Sequence, residues 1–234
     1  MVEIQLRGEL WDNDSADILR WWGWRDITAP MDIQSALTAA AGDDVTLLIN
    51  SPGGDMAVGG EIRSMLRRYG GKTTALFQGF GASAATLAAT GCELIQSEPG
   101  ALLCYHNPSG AAEGDWREML RSAEGLENAR DCVLEIYLSR PGSADRETLS
   151  ALMERNVWIT PTQAKSYGLI DEIVGAEAEA ADPAAFVAAA GSRIRLTQAM
   201  RERYQAHVAA ERELSAAKDK ANRAIARLRA LAKF

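Results

Sequence analysis

The chain has 234 residues, 47% hydrophobic and 24% charged, a composition typical of a soluble globular protein of one domain with an appendage. Its formal net charge of -7 argues against a general nucleic-acid binder, and no segment is long and apolar enough to span a bilayer. The N-terminus lacks the basic and apolar regions of a secretory signal, and Cys92, Cys104 and Cys132 show neither disulfide nor zinc spacing. We therefore expect a cytoplasmic protein with reduced, buried thiols, without a metal or other cofactor, and without nucleic acid or membrane as a partner.

Strand-like and helix-like segments alternate up to about residue 175. Val2, Ile4 and Leu6 alternate with polar residues, which is the two-residue period of a half-buried strand. Short apolar and β-branched runs predict further strands at residues 45–50, 73–78, 93–96, 101–105 and 169–174. Helical periodicity and capping residues predict helices at residues 31–37, 56–69, 83–90, 115–138 and 145–153, and after the capping box Thr160-Pro161-Thr162-Gln163. The order of these segments predicts an α/β fold.

The composition changes after residue 175. Residues 176–196 are mostly alanine with a few acids and one proline, which predicts a weakly held linker. Residues 197–234 are rich in Ala, Arg, Lys and Glu and predict a long polar helix that needs a partner for stability. We therefore predict a globular domain at residues 1–175, an alanine-rich linker and a C-terminal helical extension. The cluster Trp21-Trp22-Gly23-Trp24 is typical of a core or an interface.

Ser83 lies in the small-residue run Gly79-Phe80-Gly81-Ala82-Ser83-Ala84-Ala85, at the junction of a predicted strand and a predicted helix. The backbone N–H groups at a helix start have no partner within the helix and can stabilise an oxyanion beside the hydroxyl. A serine at this position is therefore a candidate nucleophile. Taken alone, the run also fits a packed helix start, because serine is favoured as a helix N-cap.

A nucleophilic serine needs a base, and the chain contains two histidines. His207 lies in the polar C-terminal helix. His106 follows a predicted buried strand and opens the loop Asn107-Pro108-Ser109-Gly110, from which an imidazole can face a neighbouring loop. His106 is therefore the candidate base, and its alternative role is that of a half-buried histidine bonded to the backbone.

The sequence also offers donors for an oxyanion. Ser51-Pro52-Gly53-Gly54-Asp55 follows a buried strand and is interpreted as a tight loop, where a glycine backbone can approach a ligand closely. The N–H of Ala84 lies beside Ser83. The same loop is equally compatible with an ordinary strand-to-helix turn. No P-loop is present, because a P-loop has a glycine five residues before the position of Gly71, where this chain has Leu66, and because Lys72-Thr73 leads into a strand.

Five motifs together resemble the proteolytic subunit of Clp protease, and most closely the Clp-related head maturation proteases of tailed phages. The motifs occur in family order over about residues 1 to 175. They are Ile49-Asn50-Ser51-Pro52-Gly53-Gly54-Asp55, Gly81-Ala82-Ser83-Ala84-Ala85, Tyr105-His106-Asn107-Pro108, Glu154-Arg155-Asn156 and Ala164-Lys165-Ser166-Tyr167-Gly168-Leu169-Ile170-Asp171. The C-terminal helix lies outside the resemblance.

The resemblance implies a Clp/crotonase-type fold of repeated strand–helix units with a projecting long helix. It implies a serine peptidase with Ser83 as nucleophile and His106 as base. Gly54 and the Ala84 N–H would form the oxyanion hole, since the separation of Ser51 and Ser83 matches the family's spacing. It also implies a homo-oligomeric ring and a polypeptide substrate.

The chain departs from the family at the third member of the triad. Asn156 stands where the family's proteolytic subunit carries aspartate, two residues before the aromatic position that Trp158 matches. An asparagine can orient an imidazole but does not stabilise the imidazolium as an anion does. Glu154 and Asp171 are nearby acids that could take its place.

We weigh three functions. The first is a phage head maturation protease, in which residues 115–138 mediate subunit contacts, an adjacent sheet edge binds extended peptide, and the substrates are capsid or scaffold proteins. The second is a housekeeping peptidase subunit fed by a separate ATPase. The third is a catalytically silent structural homologue, suggested by Asn156.

Overall fold

A computed structural model describes residues 1–175 and 196–231. The chain divides into two compact units, one of residues 1–16 and 25–192 and a smaller one of residues 17–24 and 193–234. Of the predicted linker, residues 176–195 lie outside the described residues. The predicted domain boundaries stay a prediction.

Within the described residues, eight strands form one sheet. They are β1 (Val2–Leu10), β2 (Ile27–Thr28), β3 (Val45–Gly54), β4 (Thr73–Ala82), β5 (Leu94–Ser97), β6 (Leu102–Cys104), β7 (Trp158–Ile159) and β8 (Glu172–Ile173). The helices are α1 (Asn13–Trp21), α2 (Pro30–Ala40), α3 (Met56–Arg67), α4 (Ala84–Ala89), α5 (Trp116–Leu138), α6 (Arg146–Arg155), α7 (Pro161–Ser166) and α8 (Gln198–Leu231). The predicted α/β fold is confirmed.

The sheet is parallel along the order β2-β1-β3-β4-β5-β8. Parallel neighbours need a crossover connection, which α2, α3 and α4 supply between successive strands. β4 is the branch point, because its first half pairs with β5 and its second half pairs with β6. β7 adds to β6 in the antiparallel sense. The pairing with β6 extends β4 to Ala82, directly before the start of α4.

The core lies between this sheet and its helices. Leu6, Leu47, Ile49 and Phe77 are fully buried on the central strands. The helices cover them with further buried aliphatic residues, including Ile33, Leu37, Ile62 and Leu66. Burying such a side chain contributes about 1.5–3 kcal/mol, so this layer holds the central strands in place.

Two helix starts follow their sequence signals closely. Thr160 and Gln163 form the predicted capping box of α7, with each side chain accepting a hydrogen bond from the backbone N–H of the other residue. Asp115 and Glu118 form a second capping box at the start of α5. The predicted C-terminal helix is present as α8.

Some predicted boundaries were wrong. Residues 51–55 were interpreted as a loop, but β3 continues through Gly54 because Gly53 and Gly54 pair with Glu9 and Leu10. β4 continues past Gln78 to Ala82 because its last residues pair with β6. Both extensions are glycine-rich and gain their strand character from backbone pairing, which side-chain patterns do not reveal.

The three cysteines do not share one environment. Cys92 and Cys104 are buried, as predicted, whereas Cys132 is exposed on α5. Most of α5 is exposed as well, and only Val133, Leu134 and Tyr137 near its end are buried.

The smaller unit is organised around tryptophan. The ring of Trp21 packs against those of Tyr204 and His207, with centroid distances of 5.9 and 5.0 Å. The guanidinium of Arg203 lies 5.0 Å from the centroid of Trp22. The cluster predicted to be core or interface thus holds the first turns of α8. No helix in the described part of the chain combines the length and apolarity needed to cross a bilayer.

Candidate active site

Ser83 lies at the junction of β4 and α4 with φ 55° and ψ −126°. A positive φ at a non-glycine residue with this ψ is rarely populated and costs about 1–3 kcal/mol. The half-buried side chain makes no capping hydrogen bond to α4. Helix capping therefore does not explain the serine, and its hydroxyl is presented by a strained turn between strand and helix, as in a nucleophile elbow.

The strained turn is held by neighbouring elements. The N–H of Ser83 donates to the Cys104 carbonyl at 3.0 Å, and the hydroxyl of Thr86 donates to the Ser83 carbonyl at 2.7 Å. Thr86 also contacts the hydroxyl of Tyr137 at 2.8 Å, and Tyr137 packs edge-on against Tyr105. Sequence reasoning missed Thr86 and Tyr137, because nothing in the local pattern shows that α5 reaches α4.

Gly53 touches this turn directly. It has φ +89°, and a Cβ there would lie 2.6 Å from the Ala82 carbonyl oxygen and 2.7 Å from the Cβ of Ser83. Such distances are shorter than any real contact, so only glycine fits. Gly53 therefore packs directly against the turn that presents Ser83.

The two glycines differ in their hydrogen bonding. The N–H of Gly53 donates to the hydroxyl of Ser51 at 3.0 Å, and that hydroxyl donates to the Gly8 carbonyl at 2.6 Å. Gly54 pairs with Leu10, whose carbonyl accepts from the N–H of Asp55. In a parallel ladder with this register, the N–H of Gly54 points away from β1. Gly54 is also exposed, and its N–H is therefore a candidate donor to an oxyanion.

His106 follows β6 and is half-buried. Its Nδ1 lies 2.6 Å from the carbonyl oxygen of Asn107, so the neutral ring carries its proton on Nδ1 and keeps a lone pair on Nε2. Nε2 is the atom that a general base would use. Among the described residues, no hydrogen bond joins His106 to Ser83 or to Asn156. Apo geometry of this kind is compatible with catalytic bonds that tighten when substrate binds.

Asn156 ends α6 in the left-handed conformation, with φ 47° and ψ 53°. Its Oδ1 accepts from the thiol of Cys104 at 3.6 Å. Burial raises the pKa of this thiol to about 11, so it is a neutral donor at neutral pH. β6 and β7 pair Cys104 with Trp158, and therefore His106 and Asn156 flank the same end of the strand pair. Asn156 lies near the histidine but is bonded to the cysteine.

The other two candidate acids are placed differently. Asp171 accepts from the guanidinium of Arg140 at 2.7 Å through one oxygen and from the N–H of Ile95 at 2.7 Å through the other. These bonds tie Arg140, just after α5, to β5 and occupy both carboxylate oxygens of Asp171. Glu154 is exposed on α6.

Asn50 also shapes the site, although the sequence motif that contains it assigns no role to this residue. Its side-chain oxygen accepts from the N–H of Phe80 at 3.1 Å, where the pairing of β3 and β4 changes register. A Cβ at Gly79 would lie 2.8 Å from the same oxygen. The side chain therefore supports the irregular part of β4 that leads to Ser83. Ser83 and His106 follow the paired ends of β4 and β6. A strained serine, backbone donors and an imidazole are a set suited to acyl transfer.

Comparison with known families agrees with this geometry. The model of the family described as Clp protease matches residues 31–177. This chain belongs to the Clp protease family. The predicted family is thus confirmed. The predicted phage subtype is not tested by this match and stays a prediction.

Curated relatives are similar over the same region. The chain is 31% identical over 129 residues to the ATP-dependent Clp protease proteolytic subunit of Nephroselmis olivacea, covering 54% of this chain and 62% of the relative. It is 32% identical over 135 residues to proteolytic subunit 1 of Streptomyces avermitilis, covering 56% and 61%. The matched segment thus spans about three fifths of these relatives' length.

A solved structure is also similar. An asparagine-to-aspartate mutant of ClpP1 from Listeria monocytogenes superposes with a TM-score of 0.59 over 74% of this chain and 90% of that chain, at 21% identity. At this identity the likeness supports the fold of the Clp protease family.

Proposed function

We propose that this protein is a serine endopeptidase of the Clp type. Ser83 is the nucleophile, His106 is the general base, and the N–H groups of Gly54 and Ala84 form the oxyanion hole. The observation that carries the proposal is the strained backbone of Ser83 at the end of β4, with Gly53 packed against it. Strain of this kind persists only where the surrounding structure enforces it and is concentrated at functional sites.

The proposed reaction follows from these positions. Ser83 Oγ attacks the carbonyl carbon of the substrate while its proton passes to Nε2 of His106. The resulting oxyanion is stabilised by the N–H groups of Gly54 and Ala84. When the C–N bond breaks, His106 gives the proton to the leaving amine and an acyl-enzyme on Ser83 remains. Water then attacks the ester, with His106 again accepting and returning the proton.

Asn156 is proposed as the third member of the triad. In the present conformation the Asn107 carbonyl accepts a hydrogen bond from Nδ1–H of His106, and Oδ1 of Asn156 accepts one from the thiol of Cys104. Either partner selects the tautomer with a free Nε2, which a base requires. Neither carries the negative charge that stabilises an imidazolium, so we expect slow acylation.

The same arrangement supports the silent homologue as a second candidate. Its specific observation is that His106 is bonded to Asn107 and not to Ser83. The two candidates differ in the reactivity of Ser83. In an active peptidase, a substrate acylates Ser83 and a reactive phosphonate phosphonylates it, whereas in a silent homologue neither reaction occurs.

We propose a homo-oligomeric ring with subunit contacts through α5. Support comes from three large apolar residues near its start, which are 40% exposed or more: Trp116, Met119 and Leu120. Exposed apolar residues in one group mark interaction surfaces. The sheet edge beside α5 is the proposed binding site for an extended polypeptide substrate, which would add as a strand.

For the biological role we propose phage head maturation in the bacterial cytoplasm, with capsid or scaffold proteins as substrates. The support is the motif resemblance and the additional helix α8. The names of the relatives, which are proteolytic subunits of ATP-dependent Clp proteases, favour the alternative, a peptidase subunit that works with a separate ATPase. Truncation after Ile194 distinguishes them, because a housekeeping core should keep its assembly and a scaffold-fused protease should lose its particle association.

Peptide cleavage tests the activity. Ser83→Ala should lower kcat by about 10³-fold or more, since the nucleophile is lost. Ser35→Ala, on the exposed face of α2, is the matched control and should cleave as the wild type does. Equal cleavage by the Ser83→Ala variant would overturn the assignment of the nucleophile.

A further inference from the structure

One face of α8, a stripe that includes Met200, His207 and Leu214, is partly buried at its start and exposed further on. Met200, Tyr204 and His207 are partly buried, and the latter two pack on Trp21. From Ala209 to Lys220 every residue is exposed, including Leu214 at 57%. A helix with no covered side is poorly stable in water, so this part of α8 needs a partner.

The sequence of α8, from its covered start through the exposed segment, has the spacing of a coiled coil. Met200, His207 and Leu214 follow one another at seven-residue intervals. Ala210 and Ala217 lie three residues after His207 and Leu214, which are the a and d positions of a heptad. In the sequence the same spacing continues to Leu228 and Leu231. Apart from His207 and Arg203, the positions of this seven-residue repeat are apolar, and such a repeat indicates a left-handed pair of helices.

Charges flank this stripe in a self-complementary order. Glu211 and Glu213 lie on either side of the stripe, and Lys218 and Lys220 follow each of them by seven residues. All four side chains are exposed. When two copies of such a helix run in opposite directions, the acidic turn of each copy lies beside the basic turn of the other.

We propose that α8 pairs with α8 of a second copy of this chain as an antiparallel coiled coil. The two-fold axis lies between Ser215 and Ala216. This register sets Leu214 opposite Ala217 of the partner subunit, a large residue against a small one. It also sets Glu211 beside the partner subunit's Lys218 and Glu213 beside the partner subunit's Lys220, and symmetry repeats each pair.

The antiparallel direction is favoured by the charges. In a parallel, in-register pair, Glu213 would meet the partner's Lys218, but Glu211 and Lys220 would face uncharged positions. The antiparallel pair satisfies all four residues. It also opposes the two helix dipoles, which a parallel pair aligns. This association is independent of the proposed peptidase chemistry, because it uses none of the residues around Ser83.

Disulfide trapping in the full-length chain tests both the pairing and its direction. Two proteins are made on a Cys132→Ser background, one with Leu214→Cys and one with Ala217→Cys. Mild oxidation of their mixture should give the mixed disulfide, identified by mass spectrometry of the joined peptides. Each protein alone should give little dimer, because residues 214 and 214 of the two copies are too far apart for a disulfide in this register.

Three outcomes overturn the proposal. A Leu214→Cys dimer formed alone indicates a parallel pair. Equal cross-linking of an Asp219→Cys control, on the opposite face, indicates random collision. Absence of any mixed disulfide shows that α8 does not pair with itself.

Charge reversal gives a second, independent readout. Glu211→Lys with Glu213→Lys, introduced in both cysteine proteins, should reduce the mixed disulfide about tenfold. Lys218→Glu with Lys220→Glu should do the same. Mixing a protein that carries the first pair of changes with one that carries the second should restore the yield, because opposite charges meet again. An unchanged yield in every combination would exclude the proposed register.

Discussion

At the scale of single residues, the site depends on backbone conformations that side-chain patterns alone do not specify. Ser83 and Gly53 both have positive φ, and they touch each other. The sequence predicted Ser83, His106 and the glycine pair as site residues through their motifs, and these assignments stay a prediction. It did not show that the Ser51 hydroxyl accepts a hydrogen bond from the N–H of Gly53. That hydroxyl also donates to the carbonyl of Gly8, which lies at an irregularity in the pairing of β1 and β3. The sequence also left the partner of His106 open.

Gly53→Ala should reduce acylation of Ser83 about 100-fold or more and destabilise the fold by about 1–3 kcal/mol. The reason is that its Cβ would overlap the Ala82 carbonyl and the Ser83 Cβ and displace both the nucleophile and the Gly54 donor. Rates of phosphonate labelling and urea denaturation measure the two effects.

Gly60→Ala is the control for that substitution. A Cβ at Gly60 meets nothing within 4 Å, and the residue lies within α3. This variant should gain about 0.5–1 kcal/mol of stability and label normally. If Gly53→Ala labels as fast as Gly60→Ala, the glycine turn has no part in catalysis.

Asn156→Asp should raise kcat about tenfold or more, because a carboxylate stabilises the imidazolium that forms in the transition state. Aspartate tolerates the left-handed conformation that Asn156 adopts, so the fold should be kept. The kcat of peptide cleavage, measured against pH, checks this. Glu154→Gln, two residues away, should change nothing, and a fall in kcat there would point to Glu154 as the orienting acid.

At the scale of elements, β4 and α5 position the site from opposite sides. The sequence predicted both, but it could not show that β4 extends to Ala82 or that α5 reaches Thr86 through Tyr137. β2 and β7, each of two residues, were not predicted, because a pattern of period two needs more residues to be visible. The capping box at Thr160 was predicted correctly because it lies within four consecutive residues.

Asp171→Ala should destabilise the protein by about 3 kcal/mol or more. It removes the partner of Arg140, whose side chain is only 8% exposed, and the acceptor of the Ile95 N–H. Thermal and urea unfolding measure the loss. Below the unfolding transition, Ser83 should label at the wild-type rate, and a specific loss of labelling would show that Asp171 serves the histidine.

The exposed pair Arg146–Glu135 is the matched control for Asp171. Arg146→Ala should cost less than about 1 kcal/mol, because exposed ion pairs contribute little. Equal losses from Arg146→Ala and Asp171→Ala would contradict the structural role of the Arg140–Asp171 pair.

At the scale of the whole molecule, the core encloses a thiol and two phenol groups that stay protonated and uncharged. Burial raises the pKa of the Cys92 thiol to about 12, and it raises the pKa values of Tyr105 and Tyr137 as well. The folded state therefore holds these protons more tightly than the unfolded state does. Their contribution to stability is complete below about pH 9 and is lost as the pH rises toward the folded pKa values.

The free energy of unfolding should therefore be constant from pH 7 to about 8.5 and fall above about pH 9, where the unfolded thiol ionises, by about 1.4 kcal/mol per pH unit for Cys92. Above about pH 10 the fall should steepen, because Tyr105 and Tyr137 also ionise in the unfolded chain. Urea denaturation at several pH values measures this slope. Cys92→Ala should make the slope shallower, whereas Cys132→Ala, at an exposed thiol, should leave it unchanged. A wild-type stability independent of pH up to 11 would show that these groups are not buried in the folded protein.

The most direct test of the proposed peptidase is the reaction of the folded, full-length protein with a serine-directed phosphonate, followed by mass spectrometry to locate the adduct. We expect one phosphonyl group on Ser83 in the wild type, faster labelling in Asn156→Asp, and none in Ser83→Ala. Labelling at another serine, or no adduct on Ser83 in either the wild type or Asn156→Asp, would contradict the assignment of Ser83 as the nucleophile.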